Sequence, residues 1–167
     1  MERVPSAARG FSWIELLLVL AALGILAAIT IPAMQDSVLK RQVKEGLALA
    51  SVAKPGVQVA YTMTGAMPAD NKAAGIPDHD KIVSSFVKDV NVSGGAITLT
   101  FGNNASKAIE GMKVTLRPAV VPDQPVVPIA WLCHVTPVPG GMEVRGKDET
   151  SVPDKWLPIE CRGAASS

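Results

Sequence analysis

Glu15 is the only ionisable side chain between Phe11 and Ile31, inside the stretch RGFSWIELLLVLAALGILAAITIP that runs from Arg9 to Pro32. A carboxylate at the membrane end of an apolar helix costs up to a few kcal/mol, less if it reaches the interface. No Lys or Arg within the run can pair with it. Its partner should therefore come from another molecule or from a newly made chain terminus. The two cysteines, Cys133 and Cys161, lie near the C-terminus. In an exported protein an even count reads as one disulfide, and in the cytosol as two free thiols. His79 stands between Asp78 and Asp80. Adjacent side chains point apart and no ligand-spaced partner follows, so a solvated turn is expected rather than a metal site. His134 sits beside Cys133. Neighbours on a strand face opposite ways, so no thiol–imidazole dyad is expected there. No Gly-rich phosphate loop, nucleophile elbow or HExxH motif occurs, and neither an enzyme nor a bound cofactor is expected.

The 167 residues suffice for one domain with a core of its own. A net charge of +1, with both signs spread along the chain, argues against a basic nucleic-acid-binding face as the main feature. Aromatics make up only 4%, which leaves little for base stacking. Compartment decides the state of the cysteines, and the N-terminus decides compartment.

At about 1.5 Å per residue, a helix over Phe11–Ile31 spans about 30 Å, the thickness of a bilayer core. The polar segment MERVPSAARG ahead of it carries Arg3 and Arg9 against Glu2. Positive charge there holds that end in the cytoplasm and sends the rest of the chain across. A secretory signal peptide would have an uncharged core followed by a small-residue cleavage site, and ILAAIT offers small residues. Glu15 and the length of the run count against that reading. A plain membrane anchor leaves Glu15 unexplained.

Beyond the run, Gly24 and Pro32 are weak points of a helix. Helical patterning resumes at MQDSVLKRQVKEGLALASVA, with Leu39, Val43, Leu47 and Ala50 on one face and Lys40, Arg41, Lys44 and Glu45 on the others. That stripe needs cover. Pro55-Gly56 predicts a bend or restart before VQVAYTMTG. AMPADNKAAGIPDHDK reads as a loop from its Pro, Gly, Asp and Asn content. VKDVNV and AITLTFG alternate around Ser93-Gly94-Gly95, a hairpin signal, with Ile97, Leu99 and Phe101 on one face. MKVTLRPAV alternates with Met112, Val114 and Leu116 inward, and VVPIAWLCHV is a fourth strand whose Pro128 marks an edge. A helix followed by four strands predicts an α+β fold, an antiparallel meander packed on the helix stripe. The Pro- and Gly-rich stretch between the cysteines is expected to have little structure of its own.

Gly10-Phe11, Glu15 at the fifth place counting from Phe11, and an apolar run ending at Pro32 resemble the leader and first helix of type IV pilins. The family's usual start is nearer GFTLIEL, from which Ser12 and Trp13 depart. The resemblance implies cleavage between Gly10 and Phe11 by a prepilin peptidase, which also methylates the new Phe11 amine. It implies that Glu15 pairs with the Phe11 amine of a neighbouring subunit, and that Gly24 to Pro32 can lose helix in the filament. GLALASVAKPGVQVAY and PADN resemble the helix and αβ-loop of type IVa pilins, and WLC…KWLPIEC resembles the region where a disulfide, here Cys133–Cys161, bounds the D-region. Some type IV pilins ending in serine are O-glycosylated there, which makes Ser167 a candidate.

The implied organisation is a leader over 1–10, a membrane and filament-core helix over 11–32, an amphipathic helix over 33–63 and a globular head over 64–167, with the D-region at 133–161. The implied function is that of a structural filament subunit serving adhesion, twitching motility or DNA uptake. It would sit in the bacterial inner membrane and then in an extracellular pilus. Expected partners are other copies of the chain, the prepilin peptidase/methylase, the assembly motor and platform proteins, membrane lipid before assembly, and a host surface or DNA. The alternatives are a minor pilin or type II secretion pseudopilin and, from another class, a membrane-tethered extracytoplasmic binding protein.

Overall fold

Leu39, Val43 and Ala50, spaced for one face of a helix, are all buried, and Leu47 packs beside them half-buried. They belong to α1 (Trp13–Ala50), which three turn residues separate from α2 (Lys54–Thr64). The computed structural model describes residues 12–162, apart from the side chains of residues 29–33. The expected restart occurs just ahead of Pro55, which sits in the first turn of α2, where a missing N–H breaks no helical bond. Ala53, Val57 and Tyr61 carry the buried stripe onward through α2. Gly56 has a packing reason: a Cβ there would lie 2.5 Å from the carbonyl oxygen of Ala74, so only glycine allows the following loop to lie this close.

The chain divides into two units, one ending at Ser37 and one starting at Val38. In the second, the helical stripe is covered by an antiparallel sheet of β1 (Val87–Ser93), β2 (Ala96–Phe101), β3 (Lys113–Val120) and β4 (Ala130–Cys133), neighbours in chain order. The expected α+β meander is therefore present. Ile97, Leu99, Phe101, Val114 and Leu116 supply its core face. Gly94 and Gly95, at φ 56° and 81°, form the two-residue turn between β1 and β2, a left-handed geometry that suits the twist of a hairpin. On the opposite face Thr98 and Thr115 are also buried, their hydroxyls bonded to each other at 3.0 Å.

β3 is longer than either neighbour's pairing, and this is where the structure adds to the expected four strands. β2 covers one edge of β3 only as far as Leu116. Further along that edge a two-residue strand, β5 (Glu143–Val144), pairs with Ala119 and Val120. Arg145 N–H donates to the carbonyl of Pro118 at 2.8 Å. Pro118 is tolerated in a central strand because its missing N–H falls where β2 has already ended. On the other edge β4 pairs with residues 116–119, and residues 149–151 take the vacant end. There Ser151 N–H donates to Lys113 O at 2.9 Å, and the Ser151 and Thr150 hydroxyls accept the Lys113 and Thr115 N–H groups at 2.9 and 3.0 Å. The stretch between the cysteines has only short elements of its own, as expected, and it is held by its own turns together with hydrogen bonds to the unused ends of β3.

β1 is an edge strand, and two buried backbone groups of its outer edge are satisfied by one side chain of the αβ-loop. The Asn71 amide donates to Val90 O at 3.0 Å and to Pro77 O at 2.9 Å, and its oxygen accepts Val92 N–H at 2.6 Å. Asn71 is itself buried. Asn71→Ala leaves both Val92 N–H and Val90 C=O buried without partners, at roughly 1–3 kcal/mol each. We expect the urea midpoint of the variant to fall by the equivalent of about 2–4 kcal/mol; an unchanged midpoint would remove Asn71 as the closure of this edge.

Candidate functional sites

From Trp13 to Leu26 the first unit is apolar on every face of α1. Trp13, Leu18 and Ile25 are 76%, 68% and 65% exposed, and the leucines and valine between them are exposed too. A helix that is hydrophobic all round belongs inside something, because monomeric soluble proteins do not leave so large an apolar surface in water. Glu15 lies in the first turn of α1, where the positive end of the helix dipole favours a carboxylate. It is exposed, and among the described residues no cation pairs with it. α1 continues through Gly24 and Pro32 without a break. Among the described residues a Cβ at Gly24 would meet nothing within 4 Å. Among the described residues no helix is long and apolar enough to cross a membrane, and the expected span begins at Phe11, outside them. Gly10, Phe11 and Ser167 also lie outside the described residues.

In the second unit Cys133 at the end of β4 and Cys161, 28 positions apart in sequence, are joined in a disulfide with Cα atoms 4.8 Å apart. Both are buried. With Cys133 bonded in this way, a Cys133–His134 dyad is ruled out, as expected. His134 instead stands in the left-handed region, at φ 49°, just past the strand. Its Nδ1 lies 2.9 Å from an Asp148 oxygen and its Nε2 3.4 Å from an Asp154 oxygen, while Arg117 Nη2 donates to its carbonyl at 2.6 Å. Burial pushes the Asp148 carboxyl up, but bonds from the Thr150 hydroxyl and N–H and from His134 outweigh it and hold the group below its ordinary value. His134 thereby ties two points of the stretch between the cysteines to the end of β4. Nothing in the local sequence signals this, because its partners are 14 and 20 positions away.

His79 opens a short 3-10 turn (His79–Lys81) and pairs through Nδ1 with Asp89 of β1. Its hydrogen bond with Asp89, helped by that residue's charge, raises the imidazole above its ordinary value. The expected solvated turn is present, with a partner ten positions on that the sequence did not reveal. Among the described residues no group of His, Cys, Asp or Glu is arranged to hold a metal ion.

A helix apolar from Trp13 to Leu26 save for Glu15, which pairs with no cation among the described residues, precedes a helix-on-sheet head closed by a C-terminal disulfide. The pilin family, bacterial filament proteins, matches residues 40–162, most of the chain. The chain belongs to the pilin family. It is 35% identical over 167 residues to a type IV major pilin protein, PilE1, of Neisseria gonorrhoeae, covering 95% of this chain and 89% of that one. A fimbrial protein of Neisseria meningitidis serogroup A is 33% identical over 175 residues, covering 95% and 96%. The fimbrial protein EcpC of Eikenella corrodens is 34% identical over 161 residues, covering 95% and 93%. In this pilin the match includes the whole sheet, the disulfide and all the loop contacts that order the region between the cysteines.

Proposed function

We propose that this chain is the repeating structural subunit of a type IV pilus, polymerising with copies of itself into an extracellular filament, with no catalytic role of its own. The observation that carries the proposal is the exposed Trp13–Leu26 stretch, apolar on every face save for Glu15, which pairs with no cation among the described residues. Packed among copies of itself in a filament core, that helix loses its contact with water, and Glu15 gains a cation from the amine of a neighbouring Phe11. Before assembly the same segment holds the subunit in the inner membrane, in contact with lipid, with residues 1–10 as leader. A prepilin peptidase removes the leader and methylates Phe11, and a separate motor and platform supply the work of extrusion. Adhesion, twitching motility and DNA uptake are the uses open to such a filament. The Cys133–Cys161 disulfide favours a pilus subunit over a type II secretion pseudopilin, and the apolar helix carrying Glu15 favours either over a tethered binding protein.

Maturation gives the direct test. Intact-mass measurement of the membrane-extracted protein should give a chain that begins at Phe11 and carries one added methyl group. A terminus near Ala28 or Ala33 would mean ordinary secretion and would end this reading. The C-terminal peptide of the same sample reads out a sugar on Ser167.

A further inference from the structure

An open groove of about 390 Å³ lies in the second unit beside the disulfide. Its apolar lining comes from Leu47 and Ala48 of α1, Trp131 of β4, Pro158 and the disulfide itself. Two cations, Lys44 and Lys54, share the wall with a single carboxylate, Glu160, so the groove carries an excess of positive charge. Among the described residues neither lysine pairs with a carboxylate. The Lys54 ammonium instead lies 5.7 Å from the centre of the Trp131 ring. Half-buried there, it has lost water without gaining an anion, and burial pushes it below the ordinary lysine value.

We propose that this groove binds an anionic amphiphile, a carboxylate carried on a short hydrocarbon chain. The hydrocarbon lies along Leu47, Ala48, Pro158 and the Trp131 ring, and the carboxylate meets Lys54 and Lys44. The groove's volume falls in the range of small-molecule sites, and an apolar lining with a few charged groups is their usual chemistry. Lys54 supplies the specificity. A neutral chain of the same length gains the apolar contact but leaves the ammonium unpaired, and a cationic one adds repulsion.

The test uses the full-length protein, labelled with 15N, in a neutral detergent. Octanoate is titrated while the Trp131 indole N–H signal is followed, assigned by its loss in Trp131→Phe. Octan-1-ol and octyltrimethylammonium serve as uncharged and cationic controls. We expect a saturable shift with octanoate alone, and an apparent affinity roughly tenfold weaker in Lys54→Met, the loss of about one charge-assisted contact. Lys54→Met keeps the aliphatic stem over Trp131, and an unchanged set of sheet amide signals establishes that it folds. Lys44→Gln, on the exposed wall, should weaken binding less. No shift with octanoate, equal shifts with all three compounds, or unchanged octanoate affinity in a folded Lys54→Met would each overturn the proposal.

Discussion

Glu15→Ala should abolish filaments, or reduce them to a small fraction of wild type, while leaving leader removal largely intact. An alanine at this position makes the apolar segment better suited to hydrocarbon, so the variant should still insert and remain in the membrane. On the proposed pairing with a neighbouring Phe11 amine, what it loses is the charge that sets the axial register of one helix against the next. Apolar side chains covering every face of the Trp13–Leu26 part of α1 pack acceptably in many registers, since burial of such surface is non-directional. A buried acid and amine pair in one register only, and an acid left without its cation in a low-dielectric core is strongly unfavourable. Glu15→Gln should share the defect, because the amide keeps the shape but not the charge. Counting filaments by electron microscopy, with immunoblots of the membrane fraction for processed subunit, separates assembly from maturation. Normal filament numbers in Glu15→Ala would refute the role given to the carboxylate.

Cys133→Ser combined with Cys161→Ala should destabilise the second unit by roughly 3–4 kcal/mol on the chain-entropy estimate for a loop of this length. The structure explains why the effect should be global rather than confined to the loop. Residues between the cysteines supply β5 on one edge of β3, the 149–151 contacts on the other, and the His134 ties to Asp148 and Asp154. When the covalent closure is lost, the entropy of all these segments has to be overcome by weak contacts alone. Urea unfolding of the full chain in neutral detergent, with and without the disulfide, measures the difference. A loss under about 1 kcal/mol would mean that the β3 contacts hold the region without it.

The parts of the fold with a short period were legible in the sequence. Leu39, Val43, Leu47 and Ala50 announce a helix face, and Ser93-Gly94-Gly95 between alternating runs announces a hairpin. Glu15 stood out because a charge in an apolar run is compositionally rare. Features that depend on pairing across the chain were not legible. Asn71 reads as one more loop residue until β1 lies beside it. β5 is too short to have a period, and it exists only because β3 outlasts β2. His134 looked notable for its neighbour Cys133, when its chemistry is with Asp148 and Asp154. Pro55-Gly56 signalled a restart, but the need for glycine came from Ala74 on the following loop.

Whether the chain builds a filament is read by shearing intact cells, pelleting the released material and identifying the protein in it. Filaments should appear in the sheared fraction by electron microscopy, with this chain as their principal component, decorated along their length by an antibody to the head. Retention of the whole population in the membrane fraction, with no filament carrying the chain, would contradict the proposed function.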